Sequence, residues 1–296
     1  MSKSAQILRF FLSPIPRRVM RCLGKPLGFL WWSVFRFRRK IVLDNLTKAF
    51  PDWSLEKKKE VGRKSVYMLA ENFFEFFLIP AIDEKWLEKN VTFQGLENLD
   101  KAIEGGKGAL LLCLHIANGD VLASCVARRG YKISIITKFF NSQLMNSIWF
   151  GIRGAQGVKW IPPHGEKTPF MILKAIKNQE FVAFVLDQHM GRPYGIETKF
   201  FGQPAGTAYG LALFQLKTKR PVIPIYSYSG EDGKIHIIAE PAFLYDPQLE
   251  SKDRDQTLVE LTQAYTDKIE EIVRRYPGQW MWVHRRWKWK GSKLEN

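Results

Sequence analysis

Residues 109–128 read ALLLCLHIANGDVLASCVAR. The run at 109–114 is apolar without alternation, as expected of a strand covered on both faces. Asn118 suits a helix N-cap, Gly119 permits a tight turn, and the residues after them read as a helix. A strand therefore passes directly into a helix, and the pattern recurs downstream. Apolar runs at 132–137, 158–161, 181–186, 222–227 and 234–239 alternate with helical patterns near 142–152, 169–178 and 207–217. A longer helix is expected over about 255–275. This alternation predicts an α/β fold, with a mostly parallel central sheet flanked by helices.

Upstream, 55–79 reads as an amphipathic helix. Val66, Leu69, Ala70, Phe73, Phe74 and Phe77 follow the spacing of one buried face. Asp52 or Ser54 can cap it and Pro80 stops it. The stripe reads as core, part of which can line an apolar pocket. No repeat, low-complexity tract or linker divides the chain. We expect a basic, aromatic segment over 1–45 followed by a single domain over 46–296.

The chain has 296 residues and a formal charge of +16. Residues 1–40 hold ten basic residues and no acid, and Arg285, Arg286, Lys288 and Lys290 add a second cluster, followed by Lys293 and Glu295. The stretch between the clusters is nearly neutral, which disfavours a protein that coats nucleic acid with its main surface. Three cysteines, Cys22, Cys113 and Cys125, make no disulfide framework, so a reducing compartment is expected.

The uncharged run 26–35 is too short to span a bilayer, which needs roughly 20 residues. Cations flank it on both sides, and Trp31 and Trp32 favour the headgroup level. With Arg36, Arg38 and Arg39 they predict a segment lying in an anionic membrane interface. A core helix with solvated charged ends is the alternative.

In open α/β folds chemistry gathers where strands end and helices begin. His115 ends the first strand and Asp120 falls in the first helical turn, in the spacing H-x-x-x-x-D. If the chain bends between them, the carboxylate can hydrogen-bond one imidazole nitrogen while the other faces substrate. A histidine held in this way is a general base for a hydroxyl. Taken alone, the pair leaves a structural histidine equally open. The five histidines show no metal-ligand spacing, and no metal is expected. Neither a GxSxG elbow, a Walker loop nor a GxGxxG after a strand is present.

HIANGD resembles the H-x-G-N-W-[DE] form of the H-x-x-x-x-[DE] motif of the bacterial lipid A biosynthesis (late) acyltransferases, within the glycerolipid acyltransferase superfamily. Further blocks follow in the family's order. NLTKAFPDWS at 45–54, Asn141 through Arg153 with Gly157, LDQ at 186–188, FFGQPAGTA at 200–208, PVIP at 221–224 and QWMWVHRRWK at 279–288 all resemble it. Ala117 and Gly119 stand where Gly and Trp are commoner, and Lys138 where Arg is frequent.

The resemblance implies a membrane-associated O-acyltransferase. It would take an acyl chain from an acyl carrier protein or coenzyme A thioester, with no other cofactor, to a hydroxyl of an anionic glycolipid, a lipid A precursor. It would act peripherally or monotopically at the cytoplasmic face of the inner membrane. His115 would be the base and Asp120 would orient it, and backbone N–H groups at the helix start near Asn118 would bind the substrate's developing oxyanion. Arg153 would clamp a phosphate. Asp187 and Gln188 would position the acceptor or serve structural bonds. Thr207 would meet substrate or, more simply, cap the following helix. Arg285 and Arg286, beside Trp282, Trp287 and Trp289, would form an interfacial edge or a plain basic tail. Cys113 and Cys125 read as core. The rivals are a same-fold enzyme acting on a phosphatidylinositol mannoside or amino-acid lipid, and a non-catalytic basic protein that binds membranes or nucleic acid.

Overall fold

The computed structural model describes residues 2–251 and 253–289, so Lys290, Lys293 and Glu295 of the tail lie outside the described residues. The chain begins with α1 (Lys3–Leu12) and α2 (Arg17–Phe29), the latter continued by a π-helical turn at Leu30–Phe35. Then come α3 (Arg39–Ala49), α4 (Leu55–Phe76), α5 (Glu84–Asn90), β1 (Val91–Gln94) and α6 (Glu97–Ile103). The alternating region supplies β2 (Leu110–Cys113), α7 (Gly119–Arg128), β3 (Ile133–Ile136), α8 (Gln143–Arg153), β4 (Lys159–Ile161), α9 (Thr168–Lys177) and β5 (Phe181–Val185). A hairpin, β6 (Gly195–Phe200) and β7 (Gln203–Ala208), precedes α10 (Gly210–Thr218), β8 (Val222–Ser229), β9 (Ile235–Ala239) and α11 (Arg254–Arg275).

Seven strands form one sheet in the order β1-β9-β8-β2-β5-β3-β4. Every neighbouring pair is parallel except β8 with β9. Leu110 and Leu112 of β2 enter one hydrophobic core and Leu111 the other. Both faces of the strand are thus covered, which is why its sequence does not alternate. Ser54 caps α4 by accepting from the Lys57 N–H at 3.2 Å, and the helix ends four residues before Pro80.

Two expectations about elements change. The helix expected from 207 starts only at Gly210, and Thr207 lies buried in β7 rather than at a cap. The cause is the loop Phe201–Gly202, with φ of 53° and 71°, which turns 195–208 into a tight hairpin. The interfacial tryptophans also differ from expectation. Trp32 is buried between α3 and α4, with the Arg39 guanidinium 4.7 Å from its ring. Trp31 is half-buried and donates to the Phe37 carbonyl. A helix packed on the body must turn one face inward, and this face carries Trp32. The outward face carries Phe29, Val34 and Phe35, followed by exposed Arg36, Phe37 and Arg38.

Candidate active site

β2 and β5 are parallel neighbours in which Cys113 lies opposite Val185. Two residues further along each strand stand His115 and Asp187, on the carboxyl edge of the sheet. His115 Nδ1 is 2.8 Å from Asp187 Oδ1, and the His115 backbone N–H donates to Oδ2 at 2.9 Å. Trp280 Nε1 donates to the same Oδ2 at 2.7 Å. Asp187 therefore receives donors from three directions. Its side chain is 1% exposed, whereas that of His115 is 39% exposed.

The ring's carboxylate partner is thus Asp187, not the expected Asp120. Asp120 sits in the first turn of α7, where Arg153 from the end of α8 donates to it through Nε at 2.7 Å. The Arg153 guanidinium also lies 4.7 Å over the Trp160 ring. Its fork is turned to a carboxylate and an indole, so the structure brings Arg153 to Asp120 and places both on the cavity wall. Burial opposes the imidazolium of His115. The charge and hydrogen bond of Asp187, with Asp120 beyond, outweigh burial and hold the His115 pKa above its ordinary value. Burial likewise opposes the Asp187 carboxylate, and His115 and Trp280 more than compensate, holding its pKa below the ordinary range.

The turn between His115 and α7 is gripped from both sides. Asn118 caps α7 as expected, its Oδ1 accepting from the Val121 N–H at 3.2 Å. Its Nδ2 donates to Glu75 and to the Asn72 carbonyl, so the buried side chain is already committed. Ala117 takes φ of 46°, the left-handed region that favours glycine, which accounts for the commoner Gly of the resembled motif. A Cβ at Gly119 would meet nothing within 4 Å, so space lies open where the motif more often has Trp.

The C-terminal segment crosses this edge. Met281 N–H donates to the His115 carbonyl, Ala117 N–H to that of Gln279, and Ile116 bridges to Trp280. Trp280, Trp282 and Arg286 are fully buried, so this part of the tail is core rather than the expected interfacial edge. Arg286 donates to Thr207 Oγ1 at 2.6 Å and to the carbonyls of Gly206 and Gln188, tying the tail to the hairpin and to the loop after β5. Burial lowers its pKa to about 10, so it stays cationic at neutral pH. Arg285 alone of the pair is exposed. The Gln188 side chain lies against the His115 ring, its Nε2 3.3 Å from His115 Nε2. His284 accepts from the His189 N–H, and burial pushes its pKa down to about 4, so it is a neutral structural acceptor.

Beside His115 opens a cavity of about 420 Å³. It runs between α4 and α7 over the sheet, walled by apolar residues such as Leu69, Phe76, Leu111, Val126, Ile133 and Trp149. Phe76 and Trp149 stack at 4.1 Å, and Phe73 stands 45% exposed at the wall. Part of the α4 stripe does line a pocket. Cys113 also faces it, but burial and the nearby Asp187 push its thiol up to about 12, far from a thiolate nucleophile. Asp187, Asn72, Glu75 and Trp280 are the partners that the H-x-x-x-x-D spacing did not disclose. A charged residue closing a buried strand was the available signal for Asp187.

The model of the bacterial lipid A biosynthesis acyltransferases matches residues 5–289. The chain is 25% identical over 273 residues to a lipid A biosynthesis acyltransferase of Haemophilus influenzae, covering 92% of this chain and 82% of that one. It is 24% identical over 291 residues to the lipid A biosynthesis palmitoleoyltransferase of Escherichia coli, covering 93% and 86%. It is also 24% identical over 217 residues to a phosphatidylinositol mannoside acyltransferase of Mycobacterium tuberculosis, covering 72% and 66%.

Proposed function

We propose, from the premise that the chain belongs to the bacterial lipid A biosynthesis acyltransferase family, that this acyltransferase moves a fatty acyl chain from a carrier-protein or coenzyme A thioester to a hydroxyl of a lipid A precursor. One observation carries the reading: an imidazole backed by a buried carboxylate opens onto a largely apolar cavity of about 420 Å³. The cavity takes the acyl chain and the open edge takes the acceptor. His115 Nε2 removes the hydroxyl proton as the oxygen attacks the thioester carbonyl. Asp187 steadies the imidazolium that forms, and the departing thiolate regains that proton. Gly119 and Asp120 stand in the first turn of α7, where backbone N–H groups have no intrahelical acceptor. They are the donors best placed for the oxyanion.

The acceptor is anionic and embedded in a bilayer, and the surface suits approach to one. Phe10, Phe11, Phe35 and Phe37 are exposed, with Arg36 and Arg38 among them, and Phe139, Phe140 and Leu144 are exposed where α8 begins, beside α1. No described helix is long and apolar enough to cross a membrane. The exposed aromatic and arginine side chains support attachment in the bilayer interface, at the cytoplasmic face. Replacing Phe10, Phe11, Phe35 and Phe37 with Ser should release the protein from anionic vesicles, and high salt should weaken what remains.

The likeness to a phosphatidylinositol mannoside acyltransferase favours one second reading, the same chemistry on another membrane glycolipid. Mass spectrometry of lipids from a deletion strain separates the two. Loss of one acyl chain from lipid A supports the first reading. Intact lipid A with another glycolipid underacylated supports the second.

A further inference from the structure

Beneath the catalytic turn, α4 presents a carboxylate that the mechanism does not use. Glu75 and its partner Arg17, the first residue of α2, form an ion pair in which both side chains are 2% exposed. Glu75 Oε1 accepts from Arg17 Nε, while Oε2 accepts from Asn118 Nδ2 at 3.0 Å. Arg17 is fixed in turn by Nη1 donating to the Gly233 carbonyl at 2.6 Å, in the turn between β8 and β9. One helical turn away from this pair, Arg21 pairs with Glu71. Further along, α2 lies hard against α4: a Cβ on Gly24 would come within 2.5 Å of the Glu71 Cα, and one on Gly28 within 2.9 Å of the Tyr67 ring.

We propose that Glu75 is a positioning residue for acyl transfer, setting the Asn118 side chain and thereby the turn that joins His115 to Asp120. The inference rests on the acyltransferase reading above. Its logic is the count of donors. Glu75 stands between two of them, the Arg17 guanidinium and the Asn118 amide, and only a carboxylate accepts from both. By accepting from Nδ2, as the Asn72 carbonyl also does, it turns the Asn118 amide to present its oxygen, not its nitrogen, to the Val121 N–H of α7. Asn72, one turn earlier on α4, holds the same turn by donating to the Ala117 carbonyl. Helix α2 supplies the cation that lets a carboxylate remain buried there. A buried charge without its partner is severely disfavoured.

The test compares two double variants of the full chain. Both remove the buried charges, so neither leaves an unpaired ion. Arg17→Met/Glu75→Gln keeps an oxygen for Asn118; Arg17→Met/Glu75→Leu does not. Melting temperature, kcat and the KM for the acyl thioester are measured for each, with the acyl chain supplied both on coenzyme A and on acyl carrier protein. The Gln double should retain most of the wild-type kcat. The Leu double should lose about ten- to a hundredfold in kcat, the scale of a misplaced catalytic group, with KM within about twofold of wild type on the same reasoning, since neither Arg17 nor Glu75 lines the acyl cavity. Equal kcat in the two doubles, or a difference confined to melting temperature or KM, overturns the proposal. So does failure of either double to fold, since the pair would then serve the fold alone. Wild-type protein that transfers no acyl chain in the same assay fails the functional reading instead, before any variant is compared.

Discussion

The Nδ1 atom of His115 lies 2.8 Å from Oδ1 of Asp187, a residue 72 positions away that reaches it because β2 and β5 are parallel neighbours. The donor–acceptor pattern fixes the tautomer. Asp187 accepts a hydrogen bond from Nδ1–H, so in the neutral ring Nε2 carries the lone pair, with the Gln188 amide nitrogen 3.3 Å away, and in the proposed mechanism this is the atom that takes the hydroxyl proton.

Asp187→Asn should leave the shape of the site but not this assignment. An amide has one acceptor oxygen for the three donors that Asp187 now receives. We expect kcat to fall by about 10³- to 10⁴-fold, the scale of such a change in hydrolase triads. Steady-state kinetics on the purified variant decides this, and a loss under tenfold would return the role to Asp120.

The pH dependence follows from the direction of the His115 shift. Its pKa is held above the ordinary histidine value of about 6.5, and only the neutral ring acts as base. The rate should therefore rise as pH increases through a value above that. In Asp187→Asn the supporting charge is gone, so the rising limb should move to lower pH while the plateau falls. The contribution to stability runs the other way. A raised histidine pKa stabilises the fold at pH below the unfolded value, and that contribution is lost as pH rises through the folded one. A pH–rate profile of both proteins with the same limb would contradict this account.

The α/β architecture was legible because covered strands lose alternation, and 109–114, 181–186 and 222–227 all show it. Asn118 as a cap was legible too, since capping is local chemistry. The partner of His115 was not. The order β8-β2-β5-β3 brings Asp187 to it, and no periodicity within one strand reveals which strand lies next. Asp120 took the role on spacing alone, and Arg153 holds it elsewhere. Trp32, Trp282 and Arg286 misled for a related reason: aromatic and basic residues have the same composition in a core as at a membrane. Only contacts separate the two cases. The two-residue turn at Phe201–Gly202 escaped notice because a Phe with positive φ is uncommon.

Asp120 and Arg153 should behave as one unit. Their side chains are 24% and 13% exposed, so each leaves the other poorly solvated when removed. A double-mutant cycle of Asp120→Asn and Arg153→Met, read in kcat/KM, should give a coupling of about 1–3 kcal/mol. Additive effects would place Arg153 on a substrate group such as phosphate instead.

Ala117→Gly should stabilise the protein. A residue with φ of 46° pays for its Cβ, and glycine does not. Against the greater freedom of glycine in the unfolded chain, the net gain should be about 0.5–1 kcal/mol. Thermal melting checks it, and a lowered melting temperature would mean that the turn is not strained at Ala117.

The central claim is that His115 is the base that activates the acceptor hydroxyl. Purified wild-type protein and His115→Ala are incubated with acyl thioester and an underacylated lipid A precursor, and the acylated product is followed by mass spectrometry. Wild type should add one acyl chain, and His115→Ala, folded to the same melting temperature, should be slower by at least about 10²-fold. Transfer by His115→Ala at the wild-type rate would contradict the mechanism.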